Sequence, residues 1–201
     1  MIFLASRSPR RRELLAQIGV RFEPLLFRGG PRQDDDTDEA VRPGEAPGDY
    51  VRRVTRLKSE AAWQRVVMRR GLRRKPVLAA DTTVALGPEI LGKPVDRAEA
   101  QRILELLSGT HHRVLTAVGV TFEGRFELAV SESLVTFAPL DEARIAAYVQ
   151  SGEPFDKAGA YGIQGRAAAF IERIEGSYTG VMGLPLYETA ELLRKFGIVV
   201  P

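Results

Sequence analysis

Residues 4–15 read LASRSPRRRELL. They predict the end of a strand, followed by a turn and the start of a helix whose N-terminus could bind an anion. Ser8 is a suitable helix N-cap, and Pro9 suits the first helical turn, where a missing N–H costs nothing. A helix N-terminus presents unpaired N–H donors and partial positive charge, to which Arg10 and Arg11 add two cations. Because like charges at a positive helix end repel each other, the arrangement is favourable when a polyanion lies among them. The stretch therefore predicts a phosphate site.

Composition narrows the class of protein. With 201 residues, 44% of them hydrophobic and 27% charged, the chain is typical of a soluble globular protein. The absence of cysteine excludes disulfides and thiolate metal sites, and no signal peptide or membrane-spanning run is recognisable, so we expect a cytoplasmic protein. A net charge of +3 permits contact with nucleic acid, but 29 basic against 26 acidic residues is a mild excess.

Hydrophobic periodicity predicts alternating strands and helices. Strands are expected over residues 2–4, 21–27, 76–80, 112–122, 126–137 and 167–174. Helices are expected after Ser8, over about 48–69, from the capping box at Asp96 to Leu107, and over 141–150 and 185–196. This order, with a hairpin in the middle, predicts one α/β domain over residues 1–201, built on a mixed sheet flanked by helices.

Polar residues that could take part in catalysis or binding follow apolar strands or lie in glycine-rich turns, where function usually resides. Asp81 ends the apolar run Val77–Ala80, and Lys93 lies between Gly92 and Pro94. Lys58 falls close to the apolar stripe of the long helix, and Gln164 lies among the glycines of DKAGAYGIQG at 156–165.

Each of these residues also has a purely structural interpretation. Asp81 could cap a turn, Lys58 could cover apolar surface with its stem, and Gln164 could satisfy backbone groups. The only histidines, His111 and His112, lie at a strand start and are interpreted as structural.

Together the residues fit one reaction. Arg10, Arg11, Lys58 and Lys93 can neutralise a triphosphate, while Asp81 can orient a water or help to hold a divalent ion. The chain has no cysteine nucleophile and no GxxxxGK[ST] loop. Metal-assisted hydrolysis of a phosphoanhydride fits what is present.

At this point the sequence closely resembles the Maf family of nucleoside triphosphate pyrophosphatases. The resemblance runs from Phe3 to about Phe196 through SxSPRRxELL, the helix around Lys58, ADTT, GKP and DKAGAYGIQG, in that order. It implies an elongated α/β fold of the Maf/ITPase type, with a mixed sheet and two lobes around a substrate cleft. It also implies hydrolysis of nucleoside triphosphates to monophosphate and pyrophosphate with Mg²⁺ or Mn²⁺.

The resemblance assigns roles residue by residue. Asp81 is the expected proton acceptor. Phosphate contacts are expected from Ser6, Arg10, Arg11, Lys58 and Lys93. Arg10, Thr82 and Gln164 match the positions tied to base choice in the subgroup that acts on dTTP and UTP. The SPRR and YGIQG motifs favour that subgroup over the one that acts on 7-methyl-GTP.

One position departs from the family pattern. A catalytic glutamate usually follows the second strand, where this chain has Arg28-Gly29-Gly30-Pro31-Arg32. The nearest carboxylates considered for its place are Asp34, Asp35 and Asp36, and the metal ligands are left unassigned.

A competing hypothesis is a binding module that grips RNA or a division-protein partner without catalysis. Exposed aromatic residues for base stacking would favour it, but the Tyr and Phe residues fall mostly in apolar patterns. We therefore expect a nucleoside triphosphate as substrate, namely dTTP, UTP or a modified pyrimidine relative. We expect no membrane, no stable nucleic-acid partner, and a chain that could form a homodimer.

Overall fold

The computed structural model describes residues 1–25 and 38–200. Its strands are β1 (Ile2–Leu4), β2 (Phe22–Pro24), β3 (Val77–Leu86), β4 (Glu89–Leu91), β5 (His111–Phe122), β6 (Arg125–Phe137) and β7 (Ile171–Glu175). Its helices are α1 (Pro9–Gln17), α2 (Pro47–Met68), α3 (Arg97–Leu107), α4 (Glu142–Gln150), α5 (Tyr178–Met182) and α6 (Leu186–Lys195), with 3₁₀ turns over Glu153–Asp156, Ala158–Ala160 and Arg166–Phe170.

The strands form one mixed seven-stranded sheet in the order β2-β1-β3-β5-β6-β7, with β4 beside β3. The pairs β1/β2 and β1/β3 are parallel, whereas the remaining pairs are antiparallel. This confirms the predicted α/β class with a mixed sheet flanked by helices. The predicted β5–β6 hairpin is also present, and it turns at Glu123 and Gly124, both with positive φ, as a tight two-residue turn requires.

Strand β3 is longer than the sequence predicted. The prediction ended it at Ala80 and was wrong, because β5 pairs with β3 along Val77–Ala85. Thr82, Thr83 and Val84 are β-branched and suit an extended, half-buried backbone. Asp81 therefore lies in the middle of a strand.

The opposite edge of β3 contains a gap. There β1 pairs with Val77 and Leu78, and β4 pairs with β3 from Val84 onward. In the described part of the chain, no strand pairs with residues 79–83 on this edge. Because neighbouring side chains of a strand point to opposite faces, Asp81 and Thr82 reach the gap from opposite sides.

The two faces of the sheet are covered differently. On the face of Ala79, helix α2 packs through Ala62 and Val66. On the other face, one cluster forms around α1, the start of β3 and α6, and a second forms around α3, α4 and Val84. The polar Thr82 lies between these two clusters, at the point where the predicted cleft between lobes would fall.

Other local predictions fare unevenly. The predicted strand over 167–174 is in part a 3₁₀ turn, because its alanine run has little β-propensity, and β7 starts only at Ile171. Strand β2 is shorter than predicted within the described residues. None of the described helices is long and apolar enough to cross a membrane. The assignment of residues 1–201 to one domain stays a prediction.

Candidate active site

A cleft of about 600 Å³ opens at the gap in β3. All eight residues with a catalytic or substrate-binding role predicted from the sequence line it. These residues are Ser6, Arg10, Arg11, Lys58, Asp81, Thr82, Lys93 and Gln164. They come from the β1–α1 turn, the first turn of α1, α2, β3, the turn after β4 and the loop before β7, so the fold brings together residues that are far apart in sequence. Their chemical roles stay predictions.

Asp81 and Lys58 form the ionic centre of the cleft. Lys58 Nζ donates to Asp81 Oδ1 at 2.7 Å and lies 2.9 Å from Glu39 Oε1. The Lys58 and Asp81 side chains are only 21% and 13% exposed. Burial opposes the charged form of Lys58, but the charges and hydrogen bonds of Asp81 and Glu39 outweigh it and raise the pKa of Lys58. The ammonium stays charged and holds two carboxylates together.

Glu39 is the residue that sequence reasoning missed. The candidates Asp34, Asp35 and Asp36 lie outside the described residues, whereas Glu39 lies at the ionic centre. All four belong to one acidic run, and no local pattern distinguishes Glu39 from its neighbours. Its position follows from tertiary contacts with α2.

Arg11 is bound to the protein on three sides. Its Nε donates to Gly183 O at 2.7 Å, Nη1 to Ser6 Oγ at 3.3 Å and Nη2 to Thr82 Oγ1 at 3.2 Å. Burial lowers the pKa of Arg11, and Asp81 and Glu39 partly offset that effect. Arg11 therefore ties the turn before α1 to β3 and to the loop after α5, in addition to the phosphate contact predicted for it.

A relay of hydroxyl groups fixes Thr82. Thr116 Oγ1 donates its only proton to Gly180 O at 2.7 Å. The same oxygen lies 3.0 Å from Thr82 Oγ1. Thr82 must then donate to Thr116 while it accepts from Arg11. Its hydroxyl proton is used inside the protein, so Thr82 can offer the cleft only a lone pair.

The start of α1 has the predicted capping geometry. Ser8 Oγ accepts from the backbone N–H of Arg11 at 3.4 Å, and Pro9 occupies the first helical position. Ser6 Oγ accepts from the backbone N–H of Ser8 at 3.2 Å. Arg10 is half-buried, and its one ion pair among residues 1–25 and 38–200 is a long contact of 4.0 Å with Asp156. Its guanidinium is therefore largely available to an anion.

Lys93 and Gln164 lie on two turns that are joined by a backbone hydrogen bond. The N–H of Gly159 donates to Gly92 O at 3.0 Å. Gly159 has φ +70°, and a Cβ there would lie 2.8 Å from methyl groups of Val84, so the turn requires glycine. Within the described ranges, neither Lys93 nor Gln164 has a hydrogen bond or ion pair, and both are exposed to the cleft.

The electrostatics of the cleft favour a polyanion. Among its described lining residues, six are Lys or Arg and three are Asp or Glu. No group of three or more His, Cys, Asp or Glu side chains that could hold a metal occurs in residues 1–25 and 38–200. A metal bound by Asp81 and Glu39 would therefore need further oxygen ligands from substrate phosphates and water, as Mg²⁺ commonly does.

His112 has a structural position. It is buried, its Nε2 lies 2.8 Å from Tyr161 Oη, and it packs edge-on against Phe137 and Tyr161. Burial, with a smaller effect from His111, lowers the pKa of His112 to about 4. The ring is neutral at pH 7 and supports the wall of the cleft behind Tyr161.

The fold and the cleft together define an α/β protein with a basic cleft whose charge favours a phosphate-rich ligand. The chain matches the model of a family described as Maf-like protein over residues 1–196, and it belongs to that family. It is 58% identical over 198 residues to the dTTP/UTP pyrophosphatase of Cupriavidus metallidurans, covering 98% of each chain. It is 55% identical over 196 residues to that of Dechloromonas aromatica, covering 98% of this chain and 97% of the relative.

Among solved structures, that of the Staphylococcus aureus Ham1 protein aligns with a TM-score of 0.44 and 16% identity. The alignment covers 68% of this chain and 71% of that one, a likeness too distant to bear on function.

Proposed function

We propose that this protein hydrolyses dTTP and UTP to the nucleoside monophosphate and pyrophosphate, as the names of its relatives state for them. The observation that carries the proposal is the convergence of all eight predicted residues on one basic cleft with Asp81 at its centre. The negative charge of a triphosphate would balance the excess of positive charge in this cleft.

In the proposed reaction, Asp81 accepts a proton from the attacking water. A new P–O bond forms to the water oxygen, the α–β phosphoanhydride bond breaks, and pyrophosphate leaves with the electron pair. Lys58 holds Asp81 in place through the 2.7 Å contact, while Arg10 and Lys93 bind phosphate oxygens. Charge-assisted hydrogen bonds of this kind are strong and stabilise the charge that develops on the leaving group.

Asp81 and Glu39 fit a divalent metal by donor chemistry, since Mg²⁺ and Mn²⁺ prefer carboxylate oxygen and the two side chains meet at one ammonium. Such an ion, when bound, supplies positive charge to the phosphates and lowers the pKa of a coordinated water. Lys58 keeps the two carboxylates side by side before substrate enters.

Base choice is proposed to involve Arg10, Thr82 and Gln164. Thr82 offers only an acceptor to the cleft, because its proton goes to Thr116. Uracil and thymine carry an imide N–H that such an acceptor can bind, whereas N3 of cytosine carries no proton and would leave the lone pair unsatisfied. Gln164 has both a free amide donor and a free amide acceptor among the described contacts, so it can complement a carbonyl or an N–H.

A cytoplasmic location, the absence of a stable nucleic-acid partner and a homodimeric state remain part of the proposal, on the sequence arguments given above.

Pyrophosphate release from a panel of nucleotides tests the function. The panel contains dTTP, UTP, CTP, 7-methyl-GTP and RNA, each with Mg²⁺, with Mn²⁺ and with EDTA. We expect fastest release from dTTP and UTP, and none with EDTA. Preference for 7-methyl-GTP would overturn the subgroup assignment, and RNA binding without release from any nucleotide would overturn the enzyme.

A further inference from the structure

Three successive backbone carbonyls, those of Asp38, Glu39 and Ala40, accept hydrogen bonds from side chains of α2. Arg53 donates to Asp38 O at 2.7 Å and to Ala40 O at 2.8 Å, and Tyr50 Oη donates to Glu39 O at 3.1 Å. The segment has neither helix nor strand to supply backbone partners. The side chains of Tyr50 and Arg53, one turn apart on α2, therefore supply the hydrogen-bond donors that a neighbouring strand would otherwise supply to these carbonyls.

The guanidinium of Arg53 is itself held firmly. It binds Glu45 with both ends, Nε to Oε1 at 2.6 Å and Nη2 to Oε2 at 2.8 Å. The Arg53 and Glu45 side chains are only 14% and 9% exposed. Glu45 Oε2 also accepts from the backbone N–H of Arg42 at 3.1 Å, and the guanidinium lies 5.5 Å from the centre of the Tyr50 ring. One planar cation thus fixes both ends of the segment 38–45.

Further along α2, Lys58 binds the carboxylate of Glu39, the residue whose carbonyl accepts from Tyr50. Its Nζ lies 2.9 Å from Glu39 Oε1 and 2.7 Å from Asp81 Oδ1. Helix α2 therefore holds the carbonyl of Glu39 through Tyr50 and the Glu39 carboxylate through Lys58. Arg53 holds the two carbonyls that flank Glu39. Arg53 is not among the residues that line the cleft, and its guanidinium binds Glu45 and the carbonyls of Asp38 and Ala40.

We propose that Arg53, supported by Glu45 and Tyr50, is a positioning residue that sets the Glu39 carboxylate beside Asp81. This inference rests on the proposed function, because the effect of Glu39 is measured as turnover. An error of about 1 Å in the position of an active-site group can cost on the order of a hundredfold in rate.

A double-mutant cycle between Arg53 and Glu39 tests the proposal. The variants are Arg53→Ala, Glu39→Gln and the double variant, with Arg52→Ala as the matched control. Arg52 is the exposed neighbour on the same helix and shares none of these contacts. Two quantities are measured for each variant, namely kcat and KM for dTTP with Mg²⁺, and the affinity for Mn²⁺ by electron paramagnetic resonance.

We expect Arg53→Ala to lower kcat roughly tenfold to a hundredfold, with a far smaller change in KM, and to weaken Mn²⁺ binding. In the Glu39→Gln background the same substitution should have no further effect, because the residue through which it acts is already lost. Arg52→Ala should match the parent. Losses that multiply in the double variant, or a silent Arg53→Ala, would overturn the positioning role.

Two milder variants keep the test decisive if Arg53→Ala does not fold. Arg53→Lys has one donor group in place of a planar fork and cannot satisfy Glu45 and both carbonyls, so it should show a partial loss of kcat. Tyr50→Phe removes only the bond to Glu39 O and should show a smaller one. Parent-like kcat and Mn²⁺ affinity in both variants would also overturn the proposal.

The proposed function and the positioning role fail in different ways. A parent protein that binds Mn²⁺ in an Arg53- and Glu39-dependent manner but releases no pyrophosphate would overturn the function and leave the positioning role standing. Turnover that depends on Glu39 but not on Arg53 would support the function and overturn the positioning role. A parent protein with neither turnover nor Mn²⁺ binding would overturn both.

Discussion

Asp81 and Thr82 are adjacent in β3, yet they belong to two different environments. On the face of Asp81, charged groups meet, namely Lys58 of α2 and the carboxylate of Glu39. On the face of Thr82, uncharged hydroxyls form a relay through Thr116 to the backbone of α5. At the gap in the sheet edge both faces open to the same cleft. The comparison suggests that the ionic face performs the chemistry and the hydroxyl face holds the cleft in shape.

The largest effect is expected at Asp81. Asp81→Asn removes the proton acceptor with almost no change in size, so kcat for dTTP should fall by at least roughly a hundredfold, the scale of losing a general base. Stability and nucleotide affinity should change little, because Lys58 still pairs with Glu39. Steady-state kinetics and thermal unfolding check this. Near-parent turnover in a folded variant would remove Asp81 from the mechanism.

The next effect is expected at Lys93, on the rim between the faces. This exposed cation lacks a partner among the described residues, so Lys93→Ala should weaken dTTP binding about tenfold, a typical value for a lost charge-assisted contact. Binding of a non-hydrolysable dTTP analogue, measured by calorimetry, gives the answer. Unchanged affinity with a sharp loss of thermal stability would make Lys93 structural.

The hydroxyl face should respond in stability rather than rate. Thr116→Val removes two hydrogen bonds, the one that Thr116 donates to Gly180 O and the one that it accepts from Thr82. Gly180 O keeps the Gly183 N–H and Thr82 keeps Arg11, so the free energy of unfolding should fall by roughly 1–3 kcal/mol, the sum for two net hydrogen bonds. The kcat of this variant should fall far less than that of Asp81→Asn. Thr116→Ser keeps the hydroxyl and serves as the control in denaturant unfolding. A Thr116→Val variant that is as stable as the Ser variant would contradict the relay.

The smallest effect concerns pH. The hydrogen bond from Arg53 lowers the pKa of Glu45 from 4.5 to about 2. A lowered carboxyl pKa means that the stabilisation by this pair is complete above pH 4.5 and is lost as the pH falls toward 2. Glu45→Gln should therefore lower Tm at neutral pH and flatten the fall of Tm between pH 4.5 and 2, because the charge whose stabilisation is lost with acid is no longer present. An unaltered acid profile would show that the pair contributes no pH-dependent stability.

Local patterns in the sequence are sufficient for several features of this protein. Capping residues locate α1 and α3, and the Glu123-Gly124 turn locates the hairpin, because these signals act between neighbours in the chain. Strand β3 was predicted too short, since its continuation past Asp81 depends on pairing with β5, which is distant in sequence. The 3₁₀ turn before β7 was missed although its cause is local, since the alanine run within Arg166–Phe170 has little β-propensity.

The sequence by itself determined the mixed α/β class, the family and eight of the residues that line the cleft, because each of these eight lies in a recognisable motif. Only the tertiary structure decided which acidic residue joins Asp81. Glu39 and its acidic neighbours are equivalent as sequence, and what separates Glu39 is a set of hydrogen bonds from Tyr50, Arg53 and Lys58. These donors share one helix, and their geometry exists only once that helix has packed on β3.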